Sequence, residues 1–261
     1  MCHEKGSNLA TKMMINCIGD SHVSFLSGFD SMIPEWPQKA RSCFGNIKAY
    51  RIGAILAYSL HKRGHKGRKL LFNIIEAFNI ENDIVMLCFG EIDCRTQIVK
   101  QARSKNISIE QTVEFTVKNY FSVIMEIKDL GFKVWVWNVI LPQMQYINTQ
   151  EYPSVGTYDE RKSTTKLFNE KLRCLCDSRD VKFFYIVDEI GNEHYLDEIH
   201  LSQKAMPIMI KRIEDMGFEI ERKRWWVLKQ GILKIIRFLK SSKGFNSVIS
   251  YSFCILGILH M

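Results

Sequence analysis

The chain has 261 residues, 46% of them apolar and 25% charged, an ordinary globular composition that excludes a disordered, collagen-like or low-complexity polymer. A domain of about 220 residues buries most of its apolar surface without disulfide staples. The net charge of +8 is local: Arg222 to Lys243 carries eight Lys/Arg and no acid, residues 244–261 carry no Asp, Glu, Lys or Arg, and residues 1–221 are formally neutral.

Met13 to Ile18 is a short apolar run ending in Gly19-Asp20-Ser21-His22, a buried strand followed by a turn. Asn46 to Tyr50 is a weaker strand candidate, and Ile52 to His61 reads as a helix entering a core. Phe72, Ile74, Ile75 and Phe78 continue a helical pattern. The basic stretch His61 to Lys69 reads as a solvated helix end or loop.

Asp83 to Gly90 is the cleanest buried strand. Ser108 with Gln111 resembles a capping box, and Val113, Val117, Phe121, Ile124 and Ile127 form a 3.6-period stripe running to Gly131. Lys133 to Ile140 is a further buried strand stopped by Pro142, in which Trp135 and Trp137 alternate as core or sheet-face residues. Arg161 to Cys176 is an amphipathic helix, Val181 to Val187 a strand and Ser202 to Met216 a last helix. Apolar strands alternating with helices imply βαβ units, hence an α/β fold with a mainly parallel sheet covered on both faces. Such folds bind ligands at the C-terminal edge of the strands, where Gly19 to His22 and Gly90 to Arg95 fall. The organisation expected is an N-terminal extension (1–12), one domain (13–221) and a C-terminal tail (222–261).

The first twenty residues lack an uninterrupted apolar stretch with a small-residue cleavage site, so no signal peptide is expected and the eight cysteines point to reduced thiols in a cytoplasmic protein. Cys174 and Cys176 are too closely spaced for a zinc knuckle, and no metal or cofactor is implied. Cys94 would be a nucleophile only as a thiolate.

Ser21 follows the first strand, where a tight turn exposes a hydroxyl at the sheet edge. Asp197 and His200 form an Asp-x-x-His step in which a carboxylate and an imidazole share one face, so the carboxylate can fix the tautomer and stabilise the imidazolium. Nucleophile, base and orienter are thus all supplied. His194 lacks that step and is the weaker candidate base, and His22 reads equally as a substrate contact or as a solvated turn residue.

Four blocks give the chain a resemblance to the SGNH (GDSL-type) hydrolases across residues 13–216. They are Ile18-Gly19-Asp20-Ser21-His22, Arg51-Ile52-Gly53-Ala54, Phe89-Gly90-Glu91-Ile92-Asp93-Cys94-Arg95 and Leu196-Asp197-Glu198-Ile199-His200-Leu201. The resemblance implies a three-layer α/β/α fold with a flavodoxin-like five-stranded sheet. It implies Ser21 as nucleophile, His200 as base, Asp197 as its orienter and Gly53 as an oxyanion N–H donor. The third block departs from the pattern, because Ile92 stands where the family usually has an asparagine whose side chain is a further oxyanion donor. Loss of one such donor typically costs about 10²–10³ in turnover. Arg95 is the nearest replacement, its alternative being a salt bridge to Glu91 or Asp93 that shapes the loop. Asp93 and Arg95 accordingly join Gly53 as candidate oxyanion or substrate groups. The resemblance implies a serine esterase or acyltransferase acting on acyl, above all acetyl, esters of a small molecule or a saccharide.

In the tail, Trp225, Leu228, Ile232, Ile235, Ile236 and Leu239 recur at helical spacing with Lys234 and Arg237 on the other side. A basic amphipathic helix with Trp at one end reads as an anchor on an anionic membrane surface, which would make the protein peripheral; packing on the domain or on a second subunit is the competing reading. No recognised nucleic-acid module accompanies it, so no specific nucleic acid is expected. The alternative function is a catalytically weak SGNH-fold binding or scaffold protein tethered to a membrane by this tail.

Overall fold

In a computed structural model of the chain, residues 13–144 and 153–223 are described. Five parallel strands, β1 (Met14–Gly19), β2 (Ile47–Arg51), β3 (Asp83–Cys88), β4 (Lys133–Trp137) and β5 (Lys182–Phe184), form one sheet in the order β2-β1-β3-β4-β5. This is the flavodoxin-like order, whose direction of winding reverses between β1 and β3; the crevice outside the carboxyl ends of those two strands is where such sheets bind ligands. The register aligns Gly19 with Cys88 and with Arg51. The last residues of three strands therefore stand side by side at that crevice.

The helices are α1 (Lys66–Ile75), α2 (Ile98–Lys105), α3 (Ile109–Asp129), α4 (Tyr158–Ser178) and α5 (Met206–Asp215). Strand alternation sends Val85, Leu87, Val134 and Val136 into one core with α1, α3 and α4, where Tyr120, Phe168 and Leu172 are fully enclosed. The opposite face carries Trp135 and Trp137. Trp137 stacks on Phe184 at 5.0 Å and meets Phe25 at 5.9 Å, and Trp135 meets Phe218 edge-on at 6.2 Å. Both faces are covered, so the architecture is the three-layer α/β/α one.

Helix α3 starts on the expected capping box, with Ser108 Oγ accepting from Gln111 N and Gln111 Oε1 from Ser108 N. The box on α4 was not anticipated: Thr157 and Glu160 start that helix three residues before the expected Arg161. Ile52 to His61 is not one helix but an extended loop followed by a single 3-10 turn, Ala57–His61. A π-turn (Asp93–Gln97) and α2 fill a stretch to which the hydrophobic period assigns no element. The strands are shorter than the apolar runs suggest. After Trp137 the chain leaves the ladder because side chains replace strand partners: Asn169 pairs with both backbone groups of Val139, and Asn138 Oδ1 accepts from Ile186 N.

The tail reading and the extension 1–12 lie outside the described residues, except for Arg222 and Lys223. Among the described residues no helix is long and apolar enough to cross a membrane.

Candidate active site

Gly19 ends β1 against β3 so closely that a Cβ there would lie 2.4 Å from the Cys88 carbonyl oxygen. Only glycine lets the two central strands run side by side up to the crevice. The next residue, Asp20, is buried and extended, and its Oδ1 accepts from His22 N at 2.9 Å. That cap starts a 3-10 helix, Ser21–Ser27, where the sequence suggested a plain turn. Ser21 is its first residue, and an N–H in the first turn of a helix has no partner inside the helix.

The other two candidate residues arrive from the far end of the chain. Asp197 Oδ1 accepts from Ile199 N at 2.9 Å and from His200 N at 2.7 Å, which folds residues 197–200 into a tight loop. Asp197 Oδ2 then lies 2.8 Å from His200 Nδ1, and His200 Nε2 lies 2.8 Å from Ser21 Oγ. Residues 179 positions apart thus meet at hydrogen-bond distance. Burial alone would raise Asp197, but the His200 ring and the two N–H donors outweigh it and hold the carboxyl at about 2. The group is a carboxylate throughout the neutral range, so the neutral His200 ring carries its proton on Nδ1 and presents a bare Nε2 to the serine.

Gly53 follows β2 with φ of 91°, a conformation that favours glycine, and the preceding Ile52 N donates to Gly19 O at 2.9 Å. The second block is thereby tied to the end of β1. Asp93 does not face the serine cavity as a substrate group would. It is fully buried, with Oδ2 accepting from Ala57 N at 2.7 Å and Oδ1 from Tyr58 N at 3.2 Å, donors that the start of a 3-10 turn leaves without helical partners. Burial raises this carboxyl to about 7 against the pull of those amides. Arg95 takes the salt-bridge alternative: its Nε donates to Glu91 at 2.7 Å and its guanidinium reaches Pro153 O at 2.6 Å. His194 is turned away from Asp197, with Nδ1 accepting from Gly191 N. Cys94 is buried, and burial pushes its thiol up, away from the thiolate a nucleophile needs. Among the described residues no group of three His, Cys, Asp or Glu could hold a metal ion, and Cys17, Cys43, Cys88, Cys94, Cys174 and Cys176 are free thiols.

The residue that sequence reasoning left undecided is His22. Its ring is nearly enclosed, with Nδ1 3.1 Å from Asp20 Oδ1, Nε2 3.1 Å from Ile199 O, and its centroid 4.8 Å from that of His200. Only the signal of a histidine directly after the serine pointed to it. Beside Ser21 and His200 opens a cavity walled by Ser24, Phe25, Phe29, Met32 and Leu196, with Asp30 and Ser31 also lining it.

No family model matches the chain. No curated protein matches it either. Among solved structures, a Bacteroides fragilis protein put forward as an acylhydrolase superposes with a TM-score of 0.50 at 14% identity, over 79% of this chain and 87% of that one. A member of the lipolytic G-D-S-L family from Veillonella parvula gives 0.46 at 16% identity (78% and 97% covered). Est24, a carbohydrate acetylesterase from Sinorhizobium meliloti, gives 0.48 at 17% (79% and 98%). At such identities the likeness is one of fold alone.

Proposed function

We propose that this SGNH-fold chain is a serine esterase or acyltransferase acting on short acyl esters, acetyl first. The observation that carries the reading is the continuous relay Asp197–His200–Ser21, with both links at 2.8 Å. Ser21 Oγ attacks the ester carbonyl carbon while His200 Nε2 takes the hydroxyl proton, and Asp197 steadies the resulting imidazolium. Collapse of the tetrahedral intermediate breaks the bond to the alcohol oxygen, which leaves with the proton from His200. Water, or a hydroxyl of an acceptor, then gives its proton to His200 and attacks the acyl-Ser21 ester, which regenerates the serine.

The N–H groups of Ser21 and Gly53 would hold the oxyanion. Ile92 supplies no side-chain donor, and Arg95 is engaged with Glu91 and Pro153 O. A hole of two donors fits a slow enzyme, which on the scale of one missing donor is about 10²–10³ below a complete one. Phe25, Phe29, Met32 and Leu196 give the serine cavity apolar walls, which suit a short acyl group. Acetylated saccharides and small acetyl esters are the substrates we propose.

The same Ile92 favours a second reading, a weakly catalytic binding or scaffold protein held at an anionic membrane surface by residues 222–261. Fluorophosphonate treatment followed by intact mass and peptide mapping separates the two. A stoichiometric adduct on Ser21, lost in Ser21→Ala and in His200→Ala, is the result expected of an esterase. A folded protein that takes up no reagent would overturn the esterase reading and favour the binding one.

A further inference from the structure

His22 sits between two oxygens that can only accept. Asp20 Oδ1 faces its Nδ1 and the Ile199 carbonyl faces its Nε2, each at 3.1 Å. A neutral imidazole has one donor and one acceptor nitrogen, so either neutral tautomer would set a lone pair against an oxygen lone pair. The imidazolium satisfies both contacts at once. A second observation agrees: Asp20 is buried and its Oδ2 has no hydrogen-bond partner among the described residues, so the neighbouring cation is what offsets its charge.

We infer that His22 is a fixed imidazolium in the resting protein and acts as a positioning residue for the proposed acyl transfer, clamping the Ser21 turn to the Asp197–His200 loop. The inference rests on the esterase reading of Ser21 and His200. The clamp follows from connectivity. His22 is the neighbour of Ser21, and Ile199 is the neighbour of His200, so the His22 Nε2–H to Ile199 O bond ties together the two backbones that carry nucleophile and base, 177 positions apart. The two rings lie 4.8 Å apart.

The ionisable groups facing His22 are Asp20 from its own turn, Glu91 from the loop after β3 and His200 from the loop before α5. Burial works against charge on the His22 ring, yet Asp20, Glu91 and the Ile199 carbonyl outweigh it and raise the ring to about 9. Loss of the cation would leave the buried Asp20 carboxylate uncompensated, whereas Glu91 keeps its ion pair with Arg95.

Two measurements test this. Ring-nitrogen NMR of the wild-type protein needs no variant and no substrate: His22 is expected to keep both ring protons through neutral pH and to lose one near 9. A neutral His22 ring at pH 7 would overturn the inference. The second is the rate of Ser21 labelling by fluorophosphonate against pH for wild type and His22→Gln, which keeps a donor and an acceptor but no charge. The plateau is expected to fall by about tenfold as the clamp loosens, and a plateau unchanged in His22→Gln would overturn the clamp. Absence of labelling in the wild type at every pH instead overturns the esterase reading itself, while the NMR titration still decides the charge on His22.

Discussion

On the proposed esterase reading, replacing Asp197 by asparagine should disable His200 as the base without unfolding the site. In the wild type the two carboxylate oxygens divide their work: Oδ1 accepts from the Ile199 and His200 amides at 2.9 and 2.7 Å, and Oδ2 accepts from His200 Nδ1 at 2.8 Å. The asparagine carbonyl can keep the two amides, which leaves its NH₂ facing His200 Nδ1. That group donates, so Nδ1 must accept, and the ring proton moves to Nε2, 2.8 Å from Ser21 Oγ. A protonated Nε2 cannot take the serine proton. The loss expected of a wrong tautomer is about 10⁴ in kcat, or about 5.5 kcal/mol of transition-state stabilisation. Because the amide bonds survive, stability should fall only by the difference between a charged and a neutral hydrogen bond, about 1 kcal/mol, or about 2–4 °C in melting temperature. The assay is the pseudo-first-order rate of Ser21 labelling, paired with p-nitrophenyl acetate hydrolysis and a thermal melt. A folded variant within about tenfold of wild type in both rates would refute the tautomer argument.

Asp93→Ala strands the Ala57 and Tyr58 amides, at about 1–3 kcal/mol for each buried donor; urea unfolding should give a lower midpoint at unchanged slope, and an unchanged midpoint would contradict the anchor role. Asp93 is also a source of pH dependence. Its carboxyl is raised to about 7 in the fold, so between the usual carboxylate value and 7 the native state holds a proton the unfolded chain has lost, and this contribution is full below about 4 and declines as pH rises through 7. Stability curves of Asp93→Asn from pH 4 to 8 should lose that decline. Asp197 has the opposite sign: held at about 2, it stabilises above the usual carboxylate value, and its contribution disappears as the pH falls toward 2, which acid titration of Asp197→Asn against wild type would read. Gly19→Ala forces a methyl to within 2.4 Å of the Cys88 carbonyl and should cost at least about 2 kcal/mol, or about 4–8 °C in melting temperature for a domain of this size; a wild-type melt would show that the strands have room to part.

The order of elements and the nature of the chemistry were legible in the linear pattern, because they depend on local periodicity and on residue type. Asp83 to Cys88 is a strand in any context that buries it, and Ser108 with Gln111 caps a helix whatever the helix packs against. Where a strand stops is a different matter. Trp137 is the last ladder residue of β4 only because Asn169, 30 positions beyond Val139, occupies the backbone groups that a neighbouring strand would otherwise pair. Ile52 to His61 has the composition of a helix, yet only Ala57–His61 turns, as a 3-10 helix whose first two amides are held by the buried Asp93 side chain from a distant block.

The same division runs through the site. Ser21, Asp197 and His200 could be nominated from sequence, since a hydroxyl after a strand and an Asp-x-x-His step are local signals, and nothing local says that residues 179 apart will lie 2.8 Å from each other. Parallel winding of the sheet brings the end of β1 and the loop before α5 to one crevice. Asp93 and Arg95 looked like site groups because they share a block with Gly90, but burial makes one an anchor and a nearby carboxylate makes the other a loop strut. The charge of His22 was invisible in the chain, since a histidine's protonation is set by what faces its two nitrogens, and Asp20 and the Ile199 carbonyl face it only once the fold has closed.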